Sequence, residues 1–383
     1  MVFPWLNNNK LIDQQLLKIK EDLVEKMKSN VNQPMPPLQT WEQNIIDSIV
    51  NVTNTLNTNN VTRTAAYLNF YIRHPDIHWA LLGHMVSRNG GWHMTDLKGD
   101  LLTRLISEKE QKNYFLFLER GNWLIFQDVF PQFLLYHHSL RMKRNLFYLL
   151  PYLNVSTFME TIWNHYWENR NYYLLAIATV INEQNYLEKH VIQNHHFQKT
   201  VLNTIGFKLY DFLRFNHIIF PYVENETKPA LIGATLQHFA SLHERIMLGK
   251  RLYSLLFHQE NVLQGVLRWA KKNKHTGSRA DYWGHLFHHV KESLPGTIYK
   301  RRTKKCELKK GEPRIYSPQL KFAWGNIKHE DADSGDWFHD WKVIHYLKEE
   351  TFSGGDIYED YCKTIEKIEL TIMAKKAIFL RKE

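Results

Sequence analysis

RTAAYLNFYIRHPDIHWALLGHMVSRNGGWHMTDLKG, residues 63–99, is the stretch on which the reading of this chain turns. Pro75 and Asp76 mark a helix start. Beyond them Ile77, Leu81, His84 and Arg88 fall on one helical face, and Leu82, Met85 and Val86 occupy much of the rest. A helix apolar nearly all round lies inside its protein, so His84 and Arg88 continue a core stripe. Burying a charge is costly unless it is paired, and Arg88 therefore needs a carboxylate, phosphate or carbonyl to meet it. On the preceding helix Arg63, Tyr67, Phe70 and His74 share a face, while Asn89, Gly90 and Gly91 read as the turn that ends the next one. A buried arginine beside a Gly-Gly turn is suited to clamping an anion, with turn amides assisting. An arginine tied to a helix C-terminus or an internal carboxylate produces the same pattern.

Outward from this block the periodicity is helical almost throughout. Ile12, Leu16, Ile19, Leu23 and Met27 recur at helical spacing before a proline-bearing linker, Ser29 to Thr40, and a second helix runs from Trp41 to about Leu56. Residues 1–59 thus read as a helical pair with its linker. Residues 60–340 read as one main helical domain, with breaks at Pro75, Asn89 to Gly91, Gly121, Pro131, Pro151, Gly206, Pro221 and Pro229. Period-two alternation with turn dipeptides is almost absent, which predicts an all-α protein. Within that domain residues 274–340 differ, being interrupted by glycine and proline yet rich in tyrosine, tryptophan and phenylalanine. Irregular segments with large aromatics are usually functional when ordered. Residues 341–383 close the chain with an amphipathic helix after Asp356, its buried stripe being Ile357, Tyr361, Ile365, Ile368 and Ile372.

Composition bounds the function classes. With 44% hydrophobic and 14% aromatic residues in 383, the chain is a globular protein with a large core. Its longest apolar run, Tyr172 to Ile181, is about half of what a bilayer span needs, and the N-terminus lacks the pattern of a secretory leader. Two cysteines, Cys306 and Cys362, are too few for a disulfide framework and have no zinc spacing, which suits a reducing cytoplasm. The net charge of +10 is uneven: residues 300–314 hold eight basic side chains against Glu307 and Glu312, a local +6. This is one basic loop on an ordinary protein.

Three further groups could carry chemistry. His285, His288 and His289 fall at i, i+3 and i+4, a spacing that sets imidazoles on one helical face, although 21 histidines generate such pairs by chance. Residues 317–341 bring together His329, Asp331, Asp333, Asp336 and His339, able to supply an acid and a base. An EF-hand reading of this loop fails, because Lys342 stands where the last acidic ligand belongs. The basic loop, with Tyr299 and Tyr316 flanking Arg301, Arg302, Lys304 and Lys305, is able to grip phosphates and stack a base. No motif calls for a metal or an organic cofactor.

In residues 63–99 the chain resembles the YppC-like family of uncharacterised bacterial proteins, domain of unknown function 2515. Leu187 to Phe207 with its histidines, Arg245 to Tyr253 (RIMLGKRLY) and Ser317 to Phe338 (SPQLKFAWGNIKHEDADSGDWF) extend the likeness from about Asn60 to Trp341. The resemblance implies a cytoplasmic bacterial protein and transfers no catalytic residue. The residues themselves predict that the 63–99 helices and the 274–340 segment meet at a pocket for an anionic small ligand. Its candidate anchors are Arg63, Arg73, Arg88, Arg245, Arg251 and Arg279, with His84, His329 and Asp336 as acid-base candidates. A nucleic-acid module using the basic loop, and a structural protein without a pocket, are the alternatives.

Overall fold

A computed structural model of the chain describes residues 4–29, 35–204, 206–207, 217–223, 230–236, 238–294, 298–333, 335–350, 352 and 354–380. The linker's Pro34 and the expected breaks at Pro229, Pro295 and Gly296 lie outside them. The class is as expected from the periodicity, 65% helix against 6% strand. Helices α1 (Pro4–Ser29) and α2 (Thr40–Leu56) precede the pair α3 (Asn60–Arg73) and α4 (His78–Asp96). The Asn59 side chain caps α3 by accepting from the amides of Val61 and Thr62, satisfying donors that a helix start leaves free. Then come α5 (Glu108–Met142), α6 (Thr157–Asn169), α7 (Tyr172–Leu187), α8 (Leu242–Phe257), α9 (Glu260–Lys272) and α10 (Tyr358–Leu380).

Several expected breaks are continuous helix. α4 passes through Gly90 and Gly91 without turning. These glycines serve close approach: a Cβ at Gly91 would collide with the Asn60 and His275 side chains, and one at Gly90 would sit 3.0 Å from Asn122 Oδ1. α5 likewise runs 35 residues through Gly121 and Pro131. Its Ser107–Glu110 capping box starts it, and burial of its aromatic face offsets what an interior proline costs.

The period-two reading missed one feature. β1 (His217–Tyr222) and β2 (Ala230–Thr235) form an antiparallel pair with Ile219 opposite Gly233. Both are largely buried, so they read as apolar runs rather than alternating ones. The 274–340 segment is irregular as expected, holding short turns and two-residue pairings such as Phe287–His288 beside Ile315–Tyr316. His285, His288 and His289 therefore do not share a helical face. Among the described residues no three His, Cys, Asp or Glu side chains are grouped to hold a metal ion.

One buried cluster runs through the fold, from Leu16, Ile19 and Leu23 of α1 and Ile46 and Ile49 of α2 to Tyr361 and Ile365 of α10. The α10 stripe is the expected one, all five residues being buried. Cys306 and Cys362 are bonded to each other, pinning the basic loop to α10. The cysteine usage thus gives no support to a reducing compartment. No helix among the described residues is long and apolar enough to cross a membrane.

Candidate functional site

The residues singled out in α3 and α4 form a buried polar network. Arg88 is 1% exposed. Its Nε donates to His84 Nε2 at 2.9 Å, its Nη2 donates to the carbonyls of Ala270 and Asn273 at the end of α9, and the guanidinium lies 4.6 Å from the Trp269 ring centroid. It is a structural arginine closing a helix C-terminus. Burial lowers its pKa to about 10, which leaves it charged at neutral pH. His84 Nδ1 lies 2.8 Å from the Thr64 carbonyl, so that nitrogen carries the proton and Nε2 accepts from Arg88. Burial, then Arg88, holds its pKa well below the ordinary value. With both nitrogens engaged, His84 has no free position for acid-base work.

Arg63 is also buried and pairs with Glu119 of α5 at 2.6 Å, its other terminal nitrogen donating to Asn57 at 3.1 Å. Burial alone would raise the Glu119 pKa, but Arg63 and His329 hold it below the ordinary value. His329 Nε2 stands 3.9 Å from the second Glu119 oxygen. Asn60 joins these groups to α4, donating to the Ser87 carbonyl at 2.9 Å and accepting at 2.8 Å from His275 Nε2. His275 Nδ1 faces Asp281 at 3.5 Å. An outer cleft of about 530 Å³ opens on Glu119, His275, Lys321 and Trp324. His275 Nε2 is engaged by Asn60, whereas Nδ1, 3.5 Å from Asp281, makes no hydrogen bond among the described residues.

The remaining candidates go to separate places. Arg279 is buried in a bidentate pair with Asp96 and bonds Tyr282 and Tyr361, each at 2.7 Å. Arg245 pairs with Glu188, Gln184 and the Phe239 carbonyl. Arg73 lies on the surface against the Asn69 carbonyl, and Arg251 is half-buried. Asp336 accepts from the amides of Thr157 and Phe338, serving the start of α6. The six arginines therefore occupy private sites and do not converge, nor do His84, His329 and Asp336. Among the described residues, internal carboxylates and carbonyls face the buried guanidinium groups of Arg63, Arg88, Arg245 and Arg279. In the basic loop Arg301, Arg302 and Arg314 face Glu366, Asp100 and Glu292 at short range, leaving Lys304 and Lys305 exposed.

On the other side of the network lies a cavity of about 250 Å³ between α4, α5, α7 and α8. Ser87, Gly90 and Asn122 form the wall shared with the network; Trp79, Leu82, Phe117, Val180, Leu187 and Leu252 represent its mainly apolar lining. Val191, Ile192 and Val201 reach it from two π-helical turns, Glu188–Ile192 and Gln198–Leu202, where the histidine-bearing stretch departs from α-helix. Such turns are frequent at functional sites. Space of this size exceeds the ~150 Å³ apolar cavity that suffices to bind benzene.

Glu183 of α7 faces this space from a mainly apolar wall that also carries Gln184 and Arg245. Its Oε1 accepts from Gln184 Nε2 at 3.2 Å, and among the described residues no cation pairs with it. Burial raises its pKa to about 8, with Asp128 adding to the rise against the Gln184 and Trp79 hydrogen bonds. Sequence reasoning passed over Glu183, although one signal was available: the apolar run to Ile181 ends in Asn182, Glu183, Gln184 and Asn185 without leaving the helix. The glycines that line the space, among them Gly83, Gly121 and Gly249, carry no comparable signal.

A helical fold with a network-walled internal cavity is the common feature of what precedes, and its family is clear from comparison. The chain belongs to the family described as protein of unknown function DUF2515, whose model matches residues 55–354. It is 40% identical over 296 residues to the uncharacterized protein YppC of Bacillus subtilis, covering 77% of this chain and 83% of that protein. No solved structure matches.

Proposed function

We propose that this protein binds an apolar small molecule in the cavity between α4, α5, α7 and α8. The carrying observation is the cavity itself, about 250 Å³ of mainly apolar lining with a few polar groups at fixed positions. That composition is typical of ligand and cofactor sites. An apolar rather than an anionic ligand is favoured because Arg245, which lines this cavity, is already held by Glu188, Gln184 and the Phe239 carbonyl, and the other candidate arginines do not line it. A nucleic-acid role draws less support, since three of the loop's arginines are already opposed by carboxylates.

Titration with the neutral dye Nile red, followed by its fluorescence, tests the proposal. The expected result is saturable binding that Gly121→Phe weakens about tenfold or more, a change of about 1.4 kcal/mol. A first side-chain carbon at Gly121 meets only Leu187, at 3.6 Å, so a ring placed there has room to enter the cavity. Wild-type affinity in Gly121→Phe, with the fold intact by circular dichroism, would place the dye elsewhere and overturn the proposal.

A further inference from the structure

Resting on that reading, the wall around Glu183 goes further and names the kind of molecule the cavity takes. Arg245 Nε donates to Gln184 Oε1 at 3.0 Å, which fixes the orientation of the Gln184 amide. Its amide nitrogen must then face Glu183, and it donates to Oε1 at 3.2 Å. Arg245 is itself committed to Glu188 and the Phe239 carbonyl, so it does not neutralise Glu183. Gln184 and Trp79 both hydrogen-bond this carboxyl, but with no counter-cation paired to it among the described residues the burial outweighs them, and the group is more stable as the acid. Its proton then belongs on Oε2.

We propose that Glu183 donates a hydrogen bond from Oε2 to an oxygen of the bound molecule, selecting an uncharged apolar ligand with a hydroxyl, carbonyl or ether group. A carboxylate ligand would set a second anion-forming group against Glu183, and an ammonium would need Glu183 ionised in a wall without water-like screening. The titratable groups around it are Asp128 of α5, His93 of α4, Tyr67 of α3, Arg245 of α8 and Glu188. Burial holds His93 down at about 3, so it stays neutral, and Asp128 opposes ionisation of Glu183.

The experiment is displacement of Nile red at pH 7 by a chain-matched set: n-decanol, decanoate and decylammonium. Decanol is expected to compete about tenfold better than either ion, the size of one well-made hydrogen bond. Glu183→Leu should weaken decanol binding by the lost hydrogen bond while leaving the cost of desolvating either ion, and Glu183→Gln, which keeps a donor, should retain decanol affinity. Above about pH 8 the decanol preference should decline in the wild type but not in Glu183→Gln. Tightest binding of decylammonium would mean an ionised Glu183, and tightest binding of decanoate a released Arg245; either overturns the inference. Equal binding of all three, unchanged in Glu183→Leu, overturns it while leaving the cavity reading intact. Failure of Nile red and every competitor to bind overturns both.

Discussion

The polar network of α3 and α4 and the cavity beside it share a wall and follow opposite rules. In the network, charge is plentiful and each charged group has a partner, although Arg63 Nε, Arg88 Nη1, His275 Nδ1 and His329 Nε2 are buried without a hydrogen bond among the described residues. Arg63 meets Glu119, Arg88 meets His84 and two carbonyls, and His275 lies between Asn60 and Asp281. In the cavity, Glu183 has Gln184 and Trp79 as hydrogen-bonding neighbours and no cation paired with it among the described residues. Charges that are paired with one another have little left for a charged ligand, whereas a carboxyl without a counter-cation facing a mainly apolar space favours a neutral one. The residues most conspicuous in a sequence are thus the ones this fold uses to hold itself together.

The comparison breaks most visibly if the network proves dispensable. Arg63→Ala leaves Glu119 buried without its guanidinium, and a loss of about 3–5 kcal/mol is expected, because an uncompensated buried charge is the costly case. Arg88→Ala should cost about 3 kcal/mol by stranding the carbonyls that end α9. Adding Glu119→Gln to Arg63→Ala should recover part of the first loss. Urea denaturation of the single and double variants measures all three. Midpoints within error of wild type would show that these groups are solvated rather than structural.

A second prediction separates the two regions by pH. Glu183 and Asp128 have pKa values raised by burial to about 8 and about 7. The folded state then holds protons that the unfolded chain has already released. Their contribution is present at low pH and is lost as pH rises through those values. His78, lowered by burial to about 4, acts in the opposite direction and only below its ordinary value of 6.5. Between about pH 6.5 and 8 stability should therefore fall, by up to about 1.4 kcal/mol per pH unit for each carboxyl. Glu183→Gln should flatten that limb and Asp128→Asn should flatten what remains. A limb of undiminished slope in Glu183→Gln would mean that its carboxyl is already ionised in the fold.

How much of this was legible follows from what each feature leaves in the chain. The helices are written as periodic apolar residues, so the α10 stripe and the burial of Arg88 could be read directly. The breaks at Gly91, Gly121 and Pro131 could not: at Gly91 a glycine required by a neighbour's approach looks the same as one required by a turn, Gly121 stands in an open helical position, and Pro131 is carried by the burial around it. The partners of the buried arginines lie far off in sequence, Arg63 and Glu119 being 56 residues apart and Arg279 and Asp96 being 183 apart. A cavity is harder still. It is made by side chains that stop short, and nothing in a linear sequence marks where four helices fail to fill the space between them.

The finest division of the two regions uses their glycines. In an exposed or open helical position Gly→Ala stabilises by roughly 0.5–1 kcal/mol, since alanine loses less backbone freedom on folding. Gly121 qualifies: in mid-α5, its added Cβ would meet only Leu187, at 3.6 Å. Gly121→Ala is therefore expected to raise the urea midpoint slightly, with dye binding reduced only in proportion to one methyl group. Gly91 sits on the network side of α4, where the same methyl would strike the Asn60 and His275 side chains. Gly91→Ala should lower stability by about 1–3 kcal/mol, the cost of overpacking a filled interior. Opposite signs for one chemical change in adjacent helices would confirm that one region is closed and the other open. A loss of similar size at both positions would mean that the space beside Gly121 is filled in solution.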